Sequence, residues 1–276
     1  MTTMQKIIKY LALAFALFLT VSIISGICGA LFTVAHLLSG KSETATENVE
    51  HEVGNNFTSL SIDISAAELE IKSGEKFQIE TNHKCLTYKE NGETLEIKET
   101  KPFFTSNSGG MKVILTLPES FVFDYADINA GAGSVRIDEL ATGTLKIELG
   151  AGKLNASRLK AAYKAEIDGG AGSITINSGY LNNAEIDMGV GQLNFTGELD
   201  GNSSIDYGIG QTNLVLVGNS EDYQIELDKG IGEAYLEGKK MRDDSVYGVG
   251  NRRIGIDGGI GKLNITFKEK PDPSKI

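Results

Sequence analysis

Residues 166–176, read as EIDGGAGSITI, return as EIDMGVGQLNF at 185–195 and as SIDYGIGQTNL at 204–214. In each, apolar residues alternate with polar ones on both sides of a glycine-x-glycine tripeptide. Period-two alternation marks a strand, and the glycines mark the corner between two strands. Outward from this stretch the tripeptide recurs at Gly131/Gly133, Gly150/Gly152, Gly170/Gly172, Gly189/Gly191, Gly208/Gly210, Gly230/Gly232 and Gly259/Gly261. All of these are expected to be structural turn glycines. The first five copies follow one another at 19 or 20 residues. A repeat of about 20 residues is the mark of a solenoid, whose units bury their apolar faces only by stacking on neighbours. The fold class expected is therefore all-β, a single-stack parallel β-solenoid preceded by one N-terminal transmembrane helix.

Three residues before the first glycine stand Ile128, Ile147, Ile167, Ile186, Ile205, Leu227 and Ile256. Four and six residues after it come pairs such as Val135/Ile137, Ile174/Ile176 and Leu193/Phe195. These are the expected core. The residue between the glycines, Ala in three copies and then Val or Ile, is expected to point inward at the corner. The glycines flank it because the corner needs backbone angles that a side chain opposes. Residues 127–268 read as the regular array, with an insertion at 238–253 that reads as a protruding loop or irregular coil. Residues 57–126 read as irregular capping coils and 269–276 as a tail.

From Tyr10 to Leu38 runs an apolar stretch with no acidic or Lys/Arg side chain, and Lys6 and Lys9 precede it. It is long enough to cross a bilayer. The positive-inside tendency then puts residues 1–9 in the cytoplasm and everything after the polar linker at 39–56 outside. A cleaved signal peptide is the competing reading, against which the apolar core is too long. The chain's net charge is −11, and beyond the first 40 residues, which carry Lys6 and Lys9 and no acid, 24 basic side chains stand against 37 acidic ones, a net of −13. An acidic ectodomain argues against nucleic acid. The cysteines, Cys28 and Cys85, fall in unlike environments and imply no disulfide framework or metal site.

The outward strand positions carry the functional signal. Before the corner they include Glu148, Glu166, Asp168, Glu185, Asp187, Asp206, Glu226, Asp228 and Asp257; after it amides such as Asn155, Gln192, Asn194, Gln211, Asn213 and Asn264 dominate. Stacked carboxylates repel by about 1 kcal/mol per neighbouring pair in water at 4 Å, and less with salt. The acidic face is thus a candidate for divalent cations, held weakly, or for cationic peptides; the alternative is a solvated face that suppresses aggregation. The amide face is expected to bond between coils as a ladder. No catalytic residue and no cofactor is implied. A carboxylate pair for glycoside hydrolysis is available anywhere in the ladder, but no copy breaks the pattern to set one pair apart.

An N-terminal span, the opening S-x-D-I-S-x-x-E-L-E-I at Ser61–Ile71, a strand ending Thr116-Leu117-Pro118 and the stacked I-D-x-G-x-G repeats together carry a resemblance. The chain resembles the bacterial "putative-adhesin" domain family of unknown function, β-strand-repeat ectodomains of envelope proteins found chiefly in Gram-positive bacteria. The resemblance covers about residues 55–268. It implies a β-solenoid ectodomain, without established activity, and a loose association with envelope-stress proteins; the localisation expected is the plasma membrane of a bacterium, with envelope proteins among the expected partners.

Overall fold

The computed structural model describes residues 57–82, 86–100 and 111–270, together with the backbone of Val49–Glu52. The span expected at 10–38, residues 1–9, most of the linker and residues 271–276 lie outside the described residues, as do both cysteines. No helix among the described residues is long and apolar enough to cross a membrane.

The repeat winds as expected. Strand β7 (Val122–Asn182) is an unbroken ribbon through three copies, and β8 (Ala184–Asp200) and β9 (Asn202–Val217) are one coil each. Parallel registers join equivalent positions, as in Ile167 with Ile186 with Ile205 and Gly172 with Gly191 with Gly210. This stacks the sequence-predicted core into columns. Ile128, Ile147, Ile167, Ile186, Ile205 and Ile256 are all buried, each stabilising by about 1.5–3 kcal/mol relative to exposure. Each coil covers the apolar edge of the next, which no single copy could do alone.

At the N-terminal end, β2 (Ser59–Gly74) lies parallel to the first coil of β7, with Ala66 opposite Ala132 and Ala67 opposite Gly133. Its two halves carry different outer neighbours, β5 (Thr94–Glu99) and β6 (Lys112–Pro118), both parallel. Antiparallel strands finish each side: β4 (Leu86–Asn91) on β5, β3 (Gln78–Thr81) on β6, and β1 (Val49–Glu52) on β3. Phe57, Phe77, Phe121 and Phe123 meet edge to face, with neighbouring ring centroids 4.8–6.4 Å apart. Phe57, Phe77 and Phe123 are buried in the core and Phe121 packs against it.

The C-terminal end departs from the expected order. After a single 3-10 turn at Ser220–Asp222 come β10 (Tyr223–Asp228), β11 (Ile231–Leu236), β12 (Lys239–Lys240), β13 (Ser245–Gly248) and β14 (Arg252–Lys268). Strand β14 does not end the stack; it lies between β9 on one side and β10 and β11 on the other, parallel to all three. The seventh copy in sequence is therefore the sixth in space. The segment expected as a protruding loop or irregular coil supplies β12 and β13, which pair antiparallel with β11 and β10. They cover part of a sheet edge that would otherwise expose unpaired backbone.

The corner residue also differs from expectation. Ala132, Ala151 and Ala171 are exposed, Val190 and Ile209 are half-buried, and Ile231 and Ile260 are 57% and 36% exposed. The alternation changes phase through the tripeptide, so the central residue points out.

The expectation of turn glycines needs correcting in the same place. Gly131, Gly133, Gly150, Gly152, Gly170 and Gly172 lie inside β7, Gly189 and Gly191 inside β8, Gly208 and Gly210 inside β9, Gly232 inside β11, and Gly259 and Gly261 inside β14. Only Gly230, between β10 and β11, stands outside a strand. The sheet bends at the tripeptide without a turn, because the backbone keeps its pairing to the coils on either side as it rounds the corner. The second glycine of each copy serves contact between coils. A Cβ on Gly152 would overlap the carbonyl oxygen of Gly133, one on Gly232 that of Gly261, and one on Gly261 that of Gly210. At Gly210 itself φ is 151°, and a Cβ would overlap the carbonyl oxygen of Gly191.

Candidate interaction face

The acidic positions come together as one row. Asp168 pairs with Asp187, Asp187 with Asp206, Asp206 with Asp257 and Asp257 with Asp228. The inserted strand matters here, because Asp257 fills the level between Asp206 and Asp228 that the chain order would have left to Asp228. A second row holds Glu166 beside Glu185, then Ser204 and Gly255, and Glu226 beside Gly255. Both rows stand on the strand leading into the glycine corner, pointing away from the isoleucine column.

Compensation is uneven along the rows. Lys146 pairs with Glu148 at 2.7 Å, and Lys164 bridges Glu166 and Glu185 at 3.3 Å each. No ion pair joins Asp168, Asp187, Asp206, Asp257 or Asp228 to a described basic residue. Partial burial raises the Asp187 carboxyl above its ordinary pKa, reinforced by a shared hydrogen bond with Asp206 and the charges of Asp206, Glu185 and Glu166. Asp168 is raised by the same burial and by Asp187, Glu148 and Glu166, with Lys146 opposing. The aspartate row thus crowds acidic groups with no ion-paired cation among the described residues.

At the end of the row Asp228 meets Asp243 and Asp244 from the connection between β12 and β13, with carboxylate oxygens all within 4.8 Å. The backbone N–H of Lys229 donates to Asp243 Oδ1 at 2.9 Å. An all-oxygen, exposed set of this kind suits a hard divalent cation rather than zinc or copper. Sequence reading placed Asp228 but not Asp243 or Asp244, since their approach depends on where the connection folds back.

Across the corner the amides form the expected ladder. Asn264 Nδ2 donates to Asn213 Oδ1 at 2.9 Å, Asn213 Nδ2 to Asn194 Oδ1 at 2.9 Å, and Asn194 Nδ2 to Thr175 Oγ1 at 3.4 Å. Gln192 and Gln211 donate sideways into the same ladder. Five amides of this face, Gln192, Asn194, Gln211, Asn213 and Asn264, thus bond within it.

A polar knot that the repeat pattern did not reveal secures the inserted strand. Arg252 Nη2 donates to Glu198 Oε2 at 3.0 Å and Nε to Asp200 Oδ1 at 3.2 Å, while its guanidinium lies 5.4 Å from the Tyr223 ring centroid. Lys270 adds a bridge to Glu198 at 2.8 Å. Arg252 therefore ties β14 to the end of β8 and to β10.

These features define a β-solenoid of roughly 20-residue coils, capped by antiparallel strands at both ends and displaying one acidic and one amide flank. The family model Toastrack DUF4097 matches residues 57–197 and 104–251, and the chain belongs to the Toastrack DUF4097 family. Among solved structures it is similar to a "putative cell adhesion protein" from Clostridium sporogenes, at 16% identity and a TM-score of 0.37, covering 80% of this chain and 99% of the other. It is also similar to a "putative adhesin" from Bacteroides fragilis, at 15% identity and a TM-score of 0.37, covering 79% and 95%. A "putative adhesin" from Parabacteroides merdae gives 10% identity, a TM-score of 0.33 and coverage of 82% and 96%. No curated protein matches the chain.

Proposed function

We propose that this chain is a single-span protein of the bacterial plasma membrane, its N-terminus inside, whose extracellular solenoid binds or senses at the envelope without catalysis. Residues 10–38 supply the anchor and 39–56 the linker. The observation that supports binding is the in-register row Asp168–Asp187–Asp206–Asp257–Asp228, none of whose members forms an ion pair with a described basic residue. A row of charge at the inter-strand spacing of about 4.8 Å attracts cationic groups, either divalent ions held weakly at the surface or basic side chains of peptides and envelope proteins. Length supports binding over catalysis, because five in-register aspartates offer a repeated surface whereas a catalytic site is one pair.

The test is titration of the protein with calcium and, separately, with a cationic peptide, followed by calorimetry at two salt concentrations. Salt-sensitive binding to either is expected, and its loss in the variant Asp168→Asn/Asp187→Asn/Asp206→Asn. A protein that binds neither is a surface spacer, the reading to which the self-bonded amide ladder would then lend itself.

A further inference from the structure

The outward-pointing corner residues stack into a continuous apolar edge. In spatial order it runs Ala66, Ala132, then through Ala151 and Ala171 to Val190, Ile209, Ile260 and Ile231. Side chains grow along it from methyl to sec-butyl, and the larger end is the more costly to leave wet: Ile231 is 57% and Ile260 36% exposed. Glycines stand on both sides of every member from Ala132 onward, so no neighbouring Cβ on the same strand shields the edge or blocks a close approach from outside.

We infer that this edge pairs with the same edge of a second copy of the chain, the two solenoid axes parallel. The flanks of the edge decide both partner and orientation. One flank is the aspartate row, two residues before each first glycine. The other, three residues after it, presents donors: Lys153 at the level of Glu148, Gln192 at that of Asp187, and Lys262 at that of Asp257.

A two-fold axis parallel to the solenoid axis makes an isologous contact in which each level meets the same level of its mate. It sets the acidic flank of one copy against the donor flank of the other on both sides, and isoleucine against isoleucine. An antiparallel two-fold instead opposes aspartate to aspartate, and like charges across an interface are strongly disfavoured. At the last level Glu233 would face Asp228, but Lys240 lies 3.3 Å from Glu233 and offsets it.

Eight stacked residues span about 34 Å at the inter-strand spacing. A strip that narrow falls below the roughly 1,200 Å² of a standard stable interface. Pairing is therefore weak in dilute solution and strengthened where copies share a surface, which raises their effective concentration. The inference does not rest on cation capture; a chain that binds no cation still pairs.

The test uses the full chain with Cys28→Ser and Cys85→Ser. Two single variants in that background, Asp187→Cys and Gln192→Cys, are mixed and mildly oxidised. The expected product is the mixed disulfide, well above either self-disulfide. Adding Ile209→Lys and Ile260→Lys to both should cut that yield about tenfold or more, as for loss of a central apolar contact, with circular dichroism unchanged. A dominant Asp187→Cys self-disulfide would overturn the parallel arrangement. Random, unselective cross-linking, or sedimentation as a monomer at every concentration, would overturn pairing altogether.

Discussion

Tyr207 and Gly258 face each other across adjacent coils, and the tyrosine ring occupies the space that a side chain at residue 258 would need. The two are register partners, Tyr207 points inward and is buried, and a Cβ on Gly258 would overlap its ring and hydroxyl. Gly169 stands in the same relation to Met188, whose Sδ lies where a Cβ would go. The residue equivalent to Gly258 in the sixth copy is Lys229, which has a long side chain where β9 requires none. Glycine at 258 thus allows the seventh copy to lie against β9 at this position.

Gly258→Ala should destabilise the chain by about 1–3 kcal/mol, the range for overpacking. Tyr207→Leu in the same chain should recover much of the loss by removing the ring. Urea midpoints of the two single variants and the double variant give the coupling; strictly additive effects would contradict the shared-space account.

Arg252→Met should cost about 1–3 kcal/mol. The figure sits between the values for exposed and for buried pairs, because Arg252 and Glu198 are only 19% and 17% exposed. The loss should concentrate in β14, seen as faster amide exchange there while β7 and β8 keep their protection. Uniform loss across all coils would mean that Arg252 does not act as the tie.

Two glycines of the array should behave oppositely. Gly210→Ala places a Cβ on the Gly191 carbonyl oxygen at a φ of 151° and should cost about 2–4 kcal/mol. Gly255→Ala meets nothing within 4 Å and should stay within about 0.5 kcal/mol of the parent. Thermal melts of the two variants distinguish a contact role for the corner glycine from a general benefit of replacing glycine.

Acidification should first stabilise the solenoid. Asp168 and Asp187 have folded-state pKa values raised above the ordinary aspartate value, so the native state binds more protons between the two values. For an acid shifted upward, the stabilising contribution is present below the unfolded value and is lost as pH rises through the folded one. Asp187→Asn should flatten this dependence and raise stability at neutral pH. Denaturation midpoints measured across that window, for parent and variant, check the sign; a parent that loses stability on the first steps of acidification would contradict it.

Much of this molecule is legible in the repeat. Aligning copies on the glycines puts Ile167, Ile186 and Ile205 in one column and Asp168, Asp187 and Asp206 in another, because a parallel register conserves the offset of every residue from its corner. The corner residue is not legible in this way. Alternation extrapolated through the tripeptide turns Ala132 and Ile231 inward, but the glycine angles reset the phase, and nothing in a residue pattern marks where a phase changes. Nor does the pattern show that Gly152 and Gly261 bend a continuous strand, since a turn and a bend use glycine alike. Asp243 and Asp244 escape for a different reason: their place beside Asp228 comes from a chain reversal, which has no period.

By itself the sequence determined the coil, its length, its buried columns and its two unlike flanks, since each follows from local alternation repeated at a constant interval. Only the tertiary structure decided the order of stacking. Every copy presents nearly the same edges, so the backbone alone permits several orders, and the choice falls to side-chain volume between coils and to Arg252. The same step placed Asp257 and Ile260 within their rows, joining the aspartates and the apolar edge into continuous surfaces.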